Sequence, residues 1–202
     1  PDVDEMIERV RPAPEPATTG AAEADESYRY RVLVPVARPD SAIEHVRLAA
    51  ALAATRDDNP LIHVLTVTEL PDQTPNELVR DTANERVDRL ESLLGEADID
   101  TEYTVEGHLC RDVAFDVVQT ARDVDADLIL MGYPSGRPGI TETVEFEAPC
   151  DVVYAGRHTT AAALDTVNIG VGGGPHQRAL LQLANDLGKR GSAVTLTNVT
   201  PT

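Results

Sequence analysis

The chain has 202 residues, 42% of them hydrophobic, and 35 acidic against 17 basic side chains give it a formal net charge of −18 at pH 7. This length suits one complete domain and a remainder rather than two complete domains of ~100–150 residues each. The sequence contains no run of the ~18–20 apolar residues that cross a bilayer, so we expect no direct membrane insertion, and its acidity argues against nucleic acid as a partner.

The acidic residues are spread over the whole chain, and Lys189 is its single lysine. Two interpretations are open: a halophilic surface that keeps water bound at high salt, or an acidic face for a basic partner or for metal cations. The scatter of the acids through every predicted helix favours the first. Cys110 and Cys150 form no C-x-x-C motif and the five histidines lack metal-ligand spacing, so no metal site is predicted.

Residues 1–28 are predicted to hold a helical turn and a flexible linker. The opening PDVDEMIERV is compatible with one or two helical turns. The segment after it, RPAPEPATTGAAEADES, is rich in proline, alanine and acidic residues and lacks apolar periodicity, which is typical of mobile linkers. A folded domain is therefore expected to begin near residue 29.

From Tyr30 onward the sequence alternates between strand and helix patterns. Strands are predicted for RVLVPVA, PLIHVLTVTEL, TEYTVEG, DLILMG and DVVYAG. Helices are predicted for DSAIEHVRLAAALAATR, for TPNELVRDTANERVDRLESLLGEA, and from about Cys110 to Val124. This alternation predicts an α/β fold with a doubly wound, open, parallel five-stranded sheet and helices on both faces.

Sheets of this kind bind ligands at the carboxyl ends of their strands, where the strand order reverses. The predicted crevice lies between the turn after Val36 and the turn after Met131. Gly136 and Gly139 border it, and they indicate either a phosphate-binding loop or a tight turn that needs positive φ. We favour the turn. The glycine-rich stretch 170–176 is a second candidate loop that is open to the same two interpretations.

The chain also resembles itself at a shift of 135 positions. Under this shift VLVPV at 32–36 lies over VNIGV at 167–171, and the following helices align without a gap. After a three-residue deletion LIHVLTVT lies over AVTLTNVT. Residues 165–199 are therefore predicted to form the strand, helix and strand that open a second, truncated copy of the domain.

The segments VLVPVA, DADLILMGYPSGRPG and APCDVVYAG, with the amphipathic helix that follows the first, resemble the universal stress protein family. The resemblance covers residues 29–157 in full and the second copy, residues 164–202, in part. It implies the sheet order 3-2-1-4-5. Many family members bind ATP or AMP through an aspartate after the first strand and the motif G-x-x-G, nine residues, Gly and then Ser or Thr.

This chain departs from that motif. Gly136 and Gly139 match its first pair, but Ala37 stands at the aspartate position, and Pro149 and Cys150 stand where Gly and Ser or Thr are expected. The helix after the glycines is reduced to TETVEFEA, which weakens the dipole that would attract phosphate. We expect ATP and AMP to bind weakly or not at all, and no other cofactor. The degenerate crevice comprises Val36, Ala37, Met131, Gly132, Gly136 and Gly139.

The first strand, in VLVPVARPDSA, is similar to that of universal stress domains fused in tandem behind membrane transporters such as amino-acid permeases and cation antiporters. This similarity implies a regulatory domain in the cytoplasm or at the cytoplasmic face of the membrane, with a transporter in the same chain or complex as its partner. No G-x-S-x-G elbow is present, so no enzyme is predicted. We also expect a homodimer. The alternative is a free-standing stress-response protein that binds ATP or AMP.

Overall fold

The computed structural model describes residues 6–13, 28–71, 74–133, 138–156, 159–172, 174 and 177–198. The strands are β1 (Ile7–Arg11), β2 (Arg31–Val36), β3 (Leu61–Glu69), β4 (Tyr103–Cys110), β5 (Leu128–Gly132), β6 (Asp151–Ala155), β7 (Thr166–Gly170) and β8 (Ala193–Thr197). The α-helices are α1 (Ala42–Ala53), α2 (Glu77–Glu96), α3 (Val113–Asp123), α4 (Pro138–Glu147) and α5 (Gln177–Lys189). Short 3-10 helices span Pro39–Ser41 and Ala161–Asp165.

The main sheet has six strands in the order β1-β4-β3-β2-β5-β6. The strands β2 to β6 pair in parallel, and β1 pairs antiparallel with β4. The five predicted strands thus lie in the predicted order 3-2-1-4-5, and the doubly wound α/β fold is confirmed. The sheet differs from the expectation by one additional edge strand, β1.

Alternate side chains of the central strands enter two separate cores. Val32 and Val34 face α1 and α2, in one cluster with Val87 and Leu90. On the other face Leu33 packs with side chains of α3 and α4; that second cluster includes Leu65, Val117, Ile129 and Val144. Both faces of β2 are buried, as its continuous apolar run predicts for a parallel strand covered on two sides.

The helical turn predicted within residues 1–28 is wrong for Ile7–Arg11, which is a strand. A five-stranded sheet would leave the outer edge of β4 without backbone hydrogen-bonding partners, and the segment supplies them. Val10 packs against Leu109 on the α2 side of the sheet. The linker predicted at 11–27 falls mostly on residues 14–27, which lie outside the described residues.

The helix near the glycine motif is longer than TETVEFEA. It comprises ten residues and begins at Pro138, a residue type that suits the first helical position because its missing N–H has no intrahelical partner there. The helix buries Val144 completely. Helix α3 begins later than expected because Cys110 is the last residue of β4, and Asp112 caps the helix by accepting a hydrogen bond from the Phe115 N–H.

The strand, helix and strand predicted for residues 165–199 are formed by β7, α5 and β8. The two strands pair in parallel, with Val167 opposite Val194. Under the internal alignment these residues correspond to Val32 and Ile62, which also lie opposite each other. The register of the two pairs is therefore the same. That residues 164–202 derive from a second copy of the domain stays a prediction.

One side of this second unit docks on the first domain. Leu187 is 3% exposed and belongs to the same cluster as the core side chains of α1, and Leu183 packs against that cluster. At the junction Arg56 forms an ion pair of 3.1 Å with Asp186. Leu180 of the same helix remains 39% exposed. Among the described helices, none is long and apolar enough to cross a membrane.

Candidate functional site

The predicted crevice residues lie mainly at one edge of the sheet. Val36 is the buried last residue of β2 and is followed by the exposed Ala37. Met131 and Gly132 end β5, which pairs with β2. Because both strands are parallel, these four residues share the carboxyl edge of the sheet.

The glycine loop of the crevice is described only in part. Gly136 falls in 134–137, which lie outside the described residues. Gly139 lies in the first turn of α4, and a Cβ at this position would meet no atom within 4 Å. The loop therefore leads into a helix whose first turn is open, which differs from the expectation of a nearly deleted helix.

His45 fills the space beneath Gly132. A Cβ at Gly132 would lie 3.0 Å from Cε1 of His45, so the glycine permits this close contact. Burial lowers the pKa of His45, and its Nδ1 has no hydrogen-bond partner within the described part of the chain. The crevice thus presents a neutral imidazole, with Ala37 in place of a carboxylate. Sequence reasoning missed His45, although it stands in the first turn of the helix after β2.

A second set of polar residues lies beneath the N-terminal arm, which we define as residues 6–13. Arg9 of the arm reaches Glu106 of β4 through Nε at 3.3 Å and Asp123 of α3 through an Nη at 2.7 Å. Arg11 points to the other face of the sheet and pairs with Asp88 and Glu91 of α2 at 2.7 and 2.8 Å. The register shift between Arg9 and Arg11 turns them to opposite faces, so the arm is tied to both helical layers.

Arg9 covers a buried network formed by His63, Glu106, His108 and Asp116, each at most 6% exposed. Nε2 of His63 lies 2.8 Å from Glu106, and its Nδ1 lies 2.9 Å from the Thr104 hydroxyl. Both contacts are satisfied when Nε2 donates to the carboxylate and Nδ1 accepts from the hydroxyl.

His108 is the central group of the buried network. Its Nδ1 donates a 2.7 Å hydrogen bond to Asp116, and its Nε2 lies 2.9 Å from Glu106 without the direction of a good hydrogen bond. Burial alone would lower the pKa of His108, but its hydrogen bond to Asp116 and its charge interactions with Asp116 and Glu106 outweigh this effect and raise the pKa to about 9. His108 is therefore a cation at neutral pH.

The same interactions keep Glu106 ionised. Burial opposes the charge of this carboxylate, but its interactions with His108 and His63 lower its pKa to about 2. Arg9 and His108 thus supply two positive charges beside the carboxylates of Glu106 and Asp116. Buried charges are tolerated when they are paired in this way, and removal of one partner leaves an uncompensated charge.

Two cavities adjoin the buried network on either side of Arg9. One, of about 390 Å³, is bordered by His108, Asn76 and Arg111. The other, of about 440 Å³, is bordered by His63 and Glu106.

Burial raises the pKa of the nearby Cys110 thiol, so it stays protonated and is not a nucleophile. Within the described ranges no three side chains are placed to hold a metal ion. The buried network thus keeps its charged side chains paired, and its contacts with Arg9 anchor the arm.

Sequence reasoning missed the buried network because the histidines were considered only for metal-ligand spacing. A signal was present in β4, where Thr104, Glu106 and His108 alternate and therefore face the same side of the sheet. Three polar side chains on one face of a strand with apolar neighbours indicate either an exposed face or a buried polar network.

No protein-family model matches the sequence, and no curated protein matches it. Solved structures of the universal stress protein family are similar in fold. One, from Archaeoglobus fulgidus in complex with dAMP, is 21% identical, with 63% of this chain and 97% of that chain covered and a TM-score of 0.42.

Two further structures give similar values. A universal stress family protein from Burkholderia pseudomallei is 22% identical over 65% of this chain and 98% of that chain, with a TM-score of 0.43. One from Arabidopsis thaliana with AMP bound is 17% identical over 64% of this chain and 93% of that chain, also with a TM-score of 0.43. Likeness at this level carries no information about the function of this chain.

Proposed function

We propose that this chain is a non-catalytic regulatory module, similar to universal stress domains, that acts on a membrane transporter to which it is joined through the N-terminal arm. The observation that carries the proposal is the integration of the arm into the sheet. Arg9 connects it to buried Glu106, and Arg11 connects it to α2. The transporter as the regulated partner rests on the resemblance of the first strand and its flanks.

The position of the arm determines how such a module would respond to its partner. If the domain began at residue 28, the linker predicted from the sequence would connect two bodies only loosely. The arm precedes that segment and pairs with β4, so anything attached before residue 6 is held directly at the sheet edge. Displacement of the arm would then remove Arg9 from the carboxylates of Glu106 and Asp123, and the loss of a charge partner is costly for the buried Glu106.

The crevice supports a binding role that does not depend on nucleotide. Ala37 offers no carboxylate to a ribose, and His45 occupies the space under Gly132. The alternative, a free-standing protein that binds ATP or AMP, is favoured by one observation: α4 begins directly after the glycine loop and supplies a helix N-terminus near the crevice. We propose the regulatory function, together with a cytoplasmic location and a homodimeric state.

The test uses Arg9→Gln in the intact parent protein, with substrate uptake measured in vesicles. We expect a change in transport rate or affinity at equal abundance. Arg89→Gln is the matched control, because it removes an exposed ion pair with Asp40, and it should leave uptake unchanged. If deletion of residues 28–202 leaves rate, affinity and abundance unaltered, the regulatory function is wrong.

Calorimetry on this chain distinguishes the regulatory function from the alternative, binding of ATP or AMP. We expect no saturable heat with micromolar ATP or AMP. Tight binding of either nucleotide, together with wild-type uptake by the Arg9→Gln variant, would establish the nucleotide-binding function instead.

A further inference from the structure

The cavity of about 390 Å³ beside the buried network lies where the arm pairs with the end of β4. Ile7 of the arm stands opposite Cys110, the last residue of β4. Its volume falls in the range of ~300–1,000 Å³ that is typical of small-molecule sites. We call it the arm cavity, and its walls are formed by residues 6–9, by Leu70, Asn76 and the end of β4, and by Thr120 and Asp123 of α3.

The two carboxylates that border the arm cavity are already paired with protein groups. Glu8 accepts a 2.6 Å hydrogen bond from the Asn76 amide through one oxygen and pairs with an arginine of α2 through the other. Asp123 accepts from Arg9 at 2.7 Å with one oxygen and from Gln119 at 2.8 Å with the other. Since neither carboxylate keeps an oxygen without a partner, the arm cavity is poorly suited to a cation.

Donors around the same cavity retain unused capacity. Arg111 is exposed, donates one long hydrogen bond of 3.4 Å to the Pro71 carbonyl, and pairs with neither carboxylate of the cavity. Arg9 uses Nε and one Nη in its ion pairs, and its other Nη has no hydrogen-bond partner in the described part of the chain. His108 is 1% exposed, and its Nε2 also lacks a hydrogen-bond partner among those residues. The polar part of the wall therefore favours an anion.

The remaining wall of the arm cavity is apolar. Leu70 is 6% exposed and Leu109 is 0% exposed, and Met6 and Ile7 of the arm are half-buried. A compact anion such as phosphate would leave this apolar surface against water, whereas an anion with an apolar chain would cover it. A second negative charge on the ligand would be repelled by the two carboxylates of the cavity. The wall thus fits a monoanion with an apolar chain.

We propose that the arm cavity is a binding site for a small monocarboxylate with an apolar chain. Its carboxylate accepts hydrogen bonds from the guanidinium groups of Arg111 and Arg9, which suit planar carboxylates, and its chain packs against Leu70 and Leu109. Because the arm supplies one wall, the ligand binds the domain only when the arm is in place, and it stabilises that state. The proposal goes beyond the regulatory function, since this chain alone forms the cavity.

The test titrates the isotope-labelled full chain with hexanoate and follows its amide signals by NMR. We expect saturable shifts at Leu70, Leu109 and Arg111. Arg111→Gln should weaken binding about tenfold, because a charge-assisted hydrogen bond is lost. Arg89→Gln is the matched control, since it also removes one exposed arginine but breaks the ion pair with Asp40 instead, and it should bind as the wild type does. The amide spectra also show that both variants are folded.

A ligand series tests the two parts of the wall. Hexanamide and hexylamine keep the apolar chain without the negative charge, and neither should shift these signals. Acetate and inorganic phosphate lack the chain, and each should bind about tenfold more weakly than hexanoate. The proposal is overturned if hexanoate gives no saturable shifts, if Arg111→Gln binds it as tightly as the wild type, if the amide or amine binds equally well, or if phosphate matches hexanoate.

Hydrogen exchange of the arm tests its part in the binding site. At a hexanoate concentration of about ten times Kd, exchange of the amides in Ile7–Arg11 should slow about tenfold, because the form with a displaced arm binds no ligand. Exchange rates that stay unchanged at saturation would place the bound hexanoate outside the arm cavity and overturn the proposal.

Discussion

The unit β2-α1-β3 and the unit β7-α5-β8 have the same topology and register but different surroundings. In the first, Leu33 of β2 and Leu65 of β3 face α3 and α4 and are 0% exposed. Their counterparts on the same face of the second unit are Asn168 and Thr197, whose side chains form a 2.7 Å hydrogen bond at the surface. The same strand pairing is therefore compatible with an apolar or a polar outer face.

The difference shows which features of a β-α-β unit depend on the layers around it. Pairing and helix placement are alike in both units, because they follow from backbone hydrogen bonds and from the apolar face between helix and strands. The outer face is apolar only where helices cover it. The inner face stays apolar in both units, and in the second it is divided between the docked Leu187 and the exposed Leu196.

The largest effect on the free energy of unfolding is expected when a residue of the first unit is replaced by its counterpart in the second. Leu33→Asn removes an apolar side chain from a fully buried site and places an amide there without a partner. The two costs together come to ~4–6 kcal/mol, a large part of the ~5–15 kcal/mol that stabilises a typical domain. Urea unfolding followed by circular dichroism should show a strongly lowered midpoint or no folded baseline.

The reciprocal substitution is its control. Asn168→Leu in the second unit affects an exposed side chain and one surface hydrogen bond, so its cost should stay below ~1 kcal/mol. Equal costs for the two substitutions would mean that the outer face of the second unit is covered in solution.

A smaller difference between the units concerns the pH dependence of the free energy of unfolding. His63 of the first unit joins the buried network, whereas its counterpart Thr195 is exposed. His108 has a folded pKa of about 9 against a model-compound value of 6.5, so its contribution is full below pH 6.5 and is lost as the pH rises through 9. Glu106 has a folded pKa of about 2 against 4.5, so its contribution is full above pH 4.5.

The free energy of unfolding should therefore be largest between about pH 4.5 and 6.5 and fall by on the order of 3 kcal/mol between pH 6.5 and 9. Chemical unfolding across this range measures the slope, and His108→Gln should remove it. If that variant does not fold, NMR titration of the His108 ring in the wild type gives the answer directly. A midpoint near 6.5 would contradict the charged state of the buried network.

The smallest effect on stability concerns salt and the net negative charge of the chain. Repulsion within the acidic residues 1–165 should weaken as the screening length falls from ~10 Å at 0.1 M to ~3 Å at 1 M salt. We expect the melting temperature to rise by a few degrees in KCl, measured by calorimetry, which is an effect of about 1 kcal/mol. A flat response would argue against a halophilic surface and favour a basic partner.

Much of the first domain could be predicted because strands covered on both faces have a local signature. Leu128, Ile129 and Leu130 are consecutive buried residues, and such runs are visible in sequence. The extent of α4 was underestimated because Pro138 was assigned to a turn, although proline at the first position is compatible with a helix. Local signals thus fixed the number and order of the parallel strands but not every boundary.

The arm and the buried network could not be predicted from local patterns. The charged Glu8, Arg9 and Arg11 lower the strand propensity of the arm, and its partner β4 comes much later in the chain. His63 lies beside Glu106 only because β3 and β4 pair with Leu65 opposite Glu106. Register between strands is a tertiary property, so the charge cluster was hidden although Glu106 and His108 themselves alternate on one strand.

The position of the arm has a consequence for the order of folding during synthesis. Arg9 and Asp123 are separated by 114 residues, and a ribosome needs on the order of ten seconds to add that many. The arm is made before β4, and its place at the edge of β4 is completed only after β4 has been made, since contacts distant in sequence form slowly. During this interval the free arm is open to other strands, so the arm stays unpaired until its partner β4 has been made.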